Sequence, residues 1–162
     1  MADPEAPFDS YRAIVLPEWI DENDHLNVGY YGGVFDDATE AWLIWVGLDP
    51  TYRENHASTT FTLESRMTYQ REVVEGEKLR FTTQLLGWDQ KRIHYFHRMF
   101  RESDGELSAT NELVTLHVDQ QTRRASPMHP EAQERLAAIE RTHRELPIPP
   151  EVSRPMGLGP RR

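Results

Sequence analysis

The sequence predicts an α+β domain in which an antiparallel sheet packs one face against a long helix. Tyr31, Val34, Phe35, Ala38, Ala41, Trp42 and Trp45 recur at three- and four-residue spacing, which marks an amphipathic helix from Val28 to about Val46. Four later segments alternate apolar and polar side chains with period two and are separated by turn residues, which marks consecutive antiparallel strands. With 162 residues, 38% hydrophobic and 28% charged, the chain is sized for one soluble domain around a single core.

The elements follow in order. Arg12 to Leu16 reads as a short strand stopped by Pro17. The polar run Asp21-Glu22-Asn23-Asp24-His25-Leu26-Asn27 comes next, with Asn27 placed to cap the helix. Asp36, Asp37 and Glu40 form the polar helix face, and Gly47 with Asp49 and Pro50 ends it in a turn. Gly29, Gly32 and Gly33 are costly in a helix, at roughly 1 kcal/mol each against alanine. Close packing on the sheet and ligand access to backbone N–H groups both account for them, and the two are compatible. A strand from Ser58 to about Val73 puts Phe61, Leu63, Met67 and Tyr69 on one face and Thr62, Glu64, Arg66 and Thr68 on the other. Leu79, Phe81, Thr83 and Leu85 mark the next strand, then about Lys91 to Arg101, then about Leu107 to Asp119 after the Ser103-Asp104-Gly105 hairpin turn. Pro130 opens a second helix ending near His143, with Leu136 and Ile139 inward. Residues 1–145 are expected to form the domain, and 146–162 a loosely ordered tail rich in Pro, Gly and Arg.

Composition removes several function classes. A formal charge of −9 argues against a non-specific binder of nucleic-acid backbones, though a local basic patch can still receive an anionic ligand. No run approaches eighteen apolar residues and the polar start does not read as a signal peptide, so no membrane partner is expected and the expected address is the cytoplasm. The chain has no cysteine, so disulfides, thiolate metal sites and a cysteine nucleophile are absent. There is also no G-x-S-x-G nucleophile elbow. A hydrolase built on this chain must use a carboxylate or an activated water.

The loop before the helix holds that chemistry. Asp21 supplies a carboxylate, Asn23 an amide and His25 an imidazole, next to the N–H groups of a helix N-terminus. A capping turn needs the same residue types, so the residues alone leave both readings open. A metal site is not expected. Asp21 to Asp24 superficially matches a calcium loop, but Leu26 stands where such a loop requires glycine. His94 and His97 are three apart on a strand and should point to opposite faces.

Trp19-Ile20-Asp21-Glu22-Asn23-Asp24-His25-Leu26-Asn27 resembles the D-x-N-G-H-x-N loop of acyl-CoA thioesterases in the 4-hydroxybenzoyl-CoA thioesterase-like family. The layout from Arg12 to Asp119 is similar to their hot-dog fold. The resemblance implies that Asp21 is the catalytic aspartate. The D-x-N-x-H core also resembles the loop of plant acyl-carrier-protein thioesterases, which implies roles for Asn23 and His25, and Thr62-Leu63-Glu64-Ser65-Arg66 is similar to the strand bearing their catalytic glutamate, which points to Glu64. The Pro-Glu-Trp-Ile-Asp entry, Val46-Gly47-Leu48-Asp49 and Lys91-Arg92-Ile93-His94 are similar to thioesterase domains associated with carnitine dehydrogenases, which are linked to betainyl-CoA hydrolysis. Asp24 departs from the family, which usually has glycine there; aspartate is among the residues that tolerate a left-handed backbone best.

The resemblance implies an acyl-CoA thioesterase for a short or polar acyl group, with no cofactor, assembled as a homodimer or homotetramer. The thioester oxygen would take N–H groups near Val28 and Gly29, while Asp21 attacks the carbonyl or orients water, with Glu64 as the alternative base. Asn27, Tyr30, Tyr31 and Trp19 are the expected substrate contacts. Trp19, Tyr30, Tyr31, Trp42, Trp45 and Trp88 are candidates for an aromatic cage around a quaternary ammonium. Arg71, Lys91 and Arg92 are candidates for the CoA phosphates. A hot-dog dehydratase and a non-catalytic acyl or small-ligand binding domain are the alternatives.

Overall fold

The computed structural model describes residues 4–157. Its long helix, α1 (Val28–Val46), has the bounds that the hydrophobic spacing predicts. Asn27 starts it with extended backbone and a side-chain oxygen on the Gly29 N–H at 2.8 Å. Gly47 ends it at φ 98, a left-handed turn that glycine adopts without a Cβ clash. Phe35, Trp42 and Val46 on its inner face are fully buried. Each such side chain stabilises the fold by roughly 1.5–3 kcal/mol through burial.

The sheet is antiparallel throughout. Strands β1 (Phe8–Ile14), β2 (Ser58–Tyr69), β3 (Lys78–Trp88), β4 (Arg92–Arg101) and β5 (Leu107–Asp119) lie in the order β1-β3-β4-β5-β2, and the short β6 (Arg124–Ala125) pairs with β5. One sheet thus wraps one long helix, the hot-dog arrangement expected from the resemblance. Strand β1 begins four residues before the expected Arg12 and pairs with β3 from Phe8 to Ile14. Strand β2 forms an edge, with Phe61, Leu63 and Tyr69 exposed.

Three further features depart from expectation. Asp49 and Pro50 start a short helix, α2 (Pro50–His56), instead of only closing a turn, because Asp49 caps the Tyr52 N–H at 2.8 Å and proline suits a first helical position. Strand β2 carries a bulge between Thr62 and Glu64. One extra residue there reverses the alternation, so Phe61 does not share a face with Met67 and Tyr69. Thr62 pairs with Thr115 on the α1 side, while Phe61, Glu64 and Arg66 pair with Leu116, Val114 and Glu112 on the outer side.

The second helix, α3 (Pro130–His143), buries Leu136 and Ile139 against Trp42 and Phe8 as expected. Its last residue meets a second bulge, between Leu85 and Gly87 of β3. The Leu85 N–H donates to His143 Nδ1 at 2.8 Å, and His143 Nε2 lies 2.8 Å from the Glu5 carbonyl. Burial pushes the His143 imidazole below its ordinary pKa, which keeps the neutral ring that this pairing requires. Residues 146–157 are not loose but cross the outer sheet face. Arg66 donates to the carbonyls of Glu151 and Arg154, and the Ser153 N–H donates to Glu112 at 2.7 Å. Residues 158–162 of the expected tail lie outside the described residues.

Candidate active site

The loop between β1 and α1 is a tight, hydrogen-bonded turn. The Asp21 N–H donates to the His25 carbonyl at 3.1 Å, and the Asp24 N–H to the Asp21 carbonyl at 3.0 Å. Asp24 sits at φ 63, the left-handed conformation for which the family's glycine is suited. The Asp21 carboxylate is held at both oxygens: Oδ1 accepts the Asn23 N–H at 2.9 Å, and Oδ2 accepts the Asn27 amide at 3.3 Å. The loop is anchored by the Leu26 N–H on the Val73 carbonyl at 2.7 Å and the Asn27 N–H on the Trp19 carbonyl at 2.9 Å.

These contacts open a cleft of about 310 Å³ lined by Asp21, His25, Leu26, Val28, Tyr31, Tyr69, Gln70, Arg71 and Glu72. Asp21, His25, Val28, Tyr31 and Arg71, scattered over fifty residues of sequence, are therefore brought to one place. The His25 ring is half-buried, with Nδ1 3.4 Å from the Leu26 carbonyl. Tyr31 is buried, and desolvation, then the neighbouring Tyr69 and Glu72, raise its pKa, so it stays a neutral phenol. Arg71 is exposed and paired with Glu106 at 3.0 Å.

The geometry also revises several expectations. The Gly29 N–H is taken by the Asn27 cap, and Val28, the first residue of α1, lines the cleft. A Cβ at position 29 would stand 3.1 Å from Asn27 Oδ1, while one at Gly33 would meet nothing within 4 Å. The cap thus accounts for Gly29, and packing within the chain does not account for Gly33. Asn23 contributes its backbone N–H, its side chain being exposed and away from the cleft wall. Trp19 and Tyr30 stack on each other, centroids 6.2 Å apart, beside the cleft and not in it. Trp42, Trp45 and Trp88 belong to the core cluster around Phe8 and do not reach the site.

Glu64 is not brought to Asp21. It lies on the outer face, paired with Val114, in a separate cleft of about 340 Å³ with Arg66, His94, Glu112 and Ser153. There burial opposes the charge of Glu112, but the Ser153 N–H and His94, at 2.9 Å, hold its carboxyl below the usual value. Lys91 and Arg92 are likewise distant. Arg101, at the far end of β4, donates to the Glu72 carbonyl beside the cleft. Arg92 therefore lies about 30 Å away at ordinary strand rise, paired with Asp89 at 2.6 Å. His94 and His97 do face opposite ways, His97 being buried under α1. Among the described residues no cluster of His, Cys, Asp and Glu is arranged to hold a metal ion. No helix of the described chain is long and apolar enough to cross a membrane.

Besides Leu26 in the loop itself, the lining residues that sequence reasoning missed are Tyr69, Gln70 and Glu72. They lie at and just beyond the end of β2, and only the non-local contact of Leu26 with Val73 brings them beside the loop. The expected extension of β2 to Val73 would have carried them away on a straight strand.

Comparison with known proteins agrees with this architecture. Residues 15–136 match the thioesterase-like superfamily. The chain is 39% identical over 153 residues to a betainyl-CoA thioesterase of Pseudomonas aeruginosa, covering 94% of this chain and 96% of that protein. It is 40% identical over 124 residues to an L-carnitine dehydrogenase/betainyl-CoA thioesterase of Agrobacterium fabrum, covering 76% of this chain but only 25% of that longer protein. A Staphylococcus aureus protein solved in complex with CoA superposes with a TM-score of 0.87 at 27% identity, over 97% of this chain and 99% of that one.

Proposed function

Because the chain belongs to the thioesterase-like superfamily and is an acyl-CoA thioesterase, we propose that its acyl group is betainyl. The observation that carries this reading is the 39% identity to a betainyl-CoA thioesterase over nearly the full length of both chains. The bifunctional relative supports it through the one quarter of its length that this chain spans. With such a substrate the reaction belongs to the cytoplasm.

In this reading the thioester lies in the Asp21 cleft with its oxygen toward the Val28 N–H, at the positive end of α1. No acidic residue occupies the first turn of the helix, so no carboxylate there opposes a developing oxyanion. Asp21 either attacks the carbonyl carbon, expelling CoA thiolate and leaving a mixed anhydride for water, or takes a proton from the attacking water. A thiolate is a good leaving group, so neither route calls for a strong acid. Asn23 and Asn27 hold the carboxylate, and His25 flanks it. Arg71, at the cleft rim, is the residue assigned to the CoA phosphates. The chemistry goes to Asp21 and not to Glu64, which faces another cleft.

Two copies are proposed to pair through β2. The edge is unpaired in one chain and carries exposed Phe61 and Leu63, an arrangement that invites a second strand. Light scattering should give a homodimer or homotetramer, and Leu63→Lys should shift it toward monomer.

The test is release of CoA from betainyl-CoA, read with a thiol reagent that this cysteine-free chain cannot consume. The expected result is turnover that Asp21→Asn lowers at least a hundredfold. Absence of release from betainyl-CoA, with release from other short acyl-CoAs, would reject the betainyl assignment. Single turnover in ¹⁸O water separates the routes: attack by Asp21, with hydrolysis at the Asp21 side of the anhydride, leaves the label in that residue and not in the product, whereas direct attack by water labels the product.

A further inference from the structure

In betainyl-CoA the quaternary nitrogen is two bonds from the thioester carbon, about 2.5 Å by ordinary covalent geometry. A site that places this carbonyl at the start of α1 must therefore receive the cation within the same cleft. The helix end itself repels it, being positive. A trimethylammonium has no N–H to donate, so carboxylates and the faces of aromatic rings are the groups that attract it.

The cleft that Val28 lines also holds these groups. The Tyr31 and Tyr69 rings meet edge to face, with centroids 4.9 Å apart and planes at 79°. Asp21 and Glu72 line the same cleft. Arg71, which also lines the cleft, is paired with Glu106, and Asp21 and Glu72 bring negative charge to the lining. The cleft thus joins the start of α1 to rings and carboxylates.

We propose that Tyr31, Tyr69 and Glu72, together with Asp21, form the subsite that selects a quaternary ammonium acyl group. This rests on the betainyl reading given above. Tyr69 is the residue that sets selectivity, since Tyr31 is already buried while Tyr69 is half exposed and free to present a ring face to the substrate.

The discriminating substrate is 3,3-dimethylbutanoyl-CoA, which has the shape of betainyl-CoA with carbon in place of the charged nitrogen. The measured quantity is the ratio of kcat/KM for the charged substrate to that for the neutral one. Tyr69→Leu should lower this ratio about tenfold, within the range of a desolvated cation–π contact. Glu72→Gln should lower it less, and Tyr69→Phe should largely preserve it. A mere loss of fold lowers both activities and leaves the ratio alone. An unchanged ratio in both Tyr69→Leu and Glu72→Gln overturns the subsite. If the enzyme hydrolyses other short acyl-CoAs but not betainyl-CoA, the substrate reading fails separately. The subsite is then read by whether glycine betaine inhibits that reaction and Tyr69→Leu relieves the inhibition; no inhibition overturns it.

Discussion

The Asn27 side chain joins Asp21 to the helix. Its amide nitrogen donates to Asp21 Oδ2 at 3.3 Å, while its oxygen accepts the Gly29 N–H at 2.8 Å. The residue that caps the helix and the residue that holds the Asp21 carboxylate are therefore the same, and substitution can separate the two contacts. Asn27→Asp keeps the capping oxygen and adds negative charge at a helix N-terminus, which is favourable. It also replaces the donor that faces Asp21 with a second carboxylate. We expect Asn27→Asp to melt close to the parent while kcat falls at least tenfold. Asn27→Ala should lose both, with about 1 kcal/mol of stability, or roughly 2–4 °C in Tm. Thermal melts beside steady-state rates check the pair.

Gly29→Ala should act through the same contact. Alanine favours a helix by about 1 kcal/mol over glycine. Here, however, its Cβ would press on Asn27 Oδ1 at 3.1 Å. The expected outcome is little net change in Tm and a clear fall in kcat, because the cap that yields is also the group that steadies Asp21. A fall in Tm with an unchanged rate would mean that the Asn27 amide is not needed to orient the carboxylate.

Asp24 tests what the departure from the family's glycine costs. At φ 63 a side chain with a Cβ is strained, and aspartate less so than most. Asp24→Gly should be neutral to stabilising and Asp24→Ala destabilising by about 1 kcal/mol, with both retaining activity. Loss of activity in Asp24→Gly would bring the Asp24 carboxylate into the chemistry.

Local pattern made α1, α3 and the loop legible. Asn27, Gly47 and Pro130 each punctuate a helix by chemistry contained in a few residues, and the helices begin or end where these stand. The bulge in β2 was not legible, because nothing in Thr62-Leu63-Glu64 marks an extra residue; the register against β5 decides it. That single residue turns Phe61 to the outer face, the one that Glu64 shares with Arg66. The cleft wall was half legible for a similar reason. Tyr31 sits one helical turn past the cap and could be named, while Tyr69 and Glu72 arrive through the Leu26–Val73 contact.

Glu64→Gln follows from the face on which β2 places that residue. A carboxylate on the outer face, among Arg66, His94 and Glu112, should have no part in thioester cleavage in the Asp21 cleft. The variant should keep kcat/KM within about twofold, a change smaller than 0.5 kcal/mol. A loss as large as that of Asp21→Asn would return Glu64 to the site and require a partner chain to bring it there.

The buried His97 predicts how stability depends on pH. Its ring lies between Thr83 and Thr39, 2.7 Å and 3.0 Å from their hydroxyls, beneath α1. Desolvation lowers its pKa from 6.5 to about 3. The unfolded chain therefore binds a proton that the folded chain refuses between these values, and stability must rise with pH across the window. The contribution is fully present above pH 6.5 and is lost progressively as pH falls toward 3. By pH 5.5 the loss is on the order of 1 kcal/mol for this one ring. His117 and His143 are also lowered by burial and act in the same direction. Denaturant melts between pH 7.5 and 5.5, above the range where carboxylates titrate, should show a falling midpoint. His97→Asn should be less stable at pH 7.5 and show a shallower slope. A slope unchanged in that variant would assign the acid sensitivity to the other two histidines.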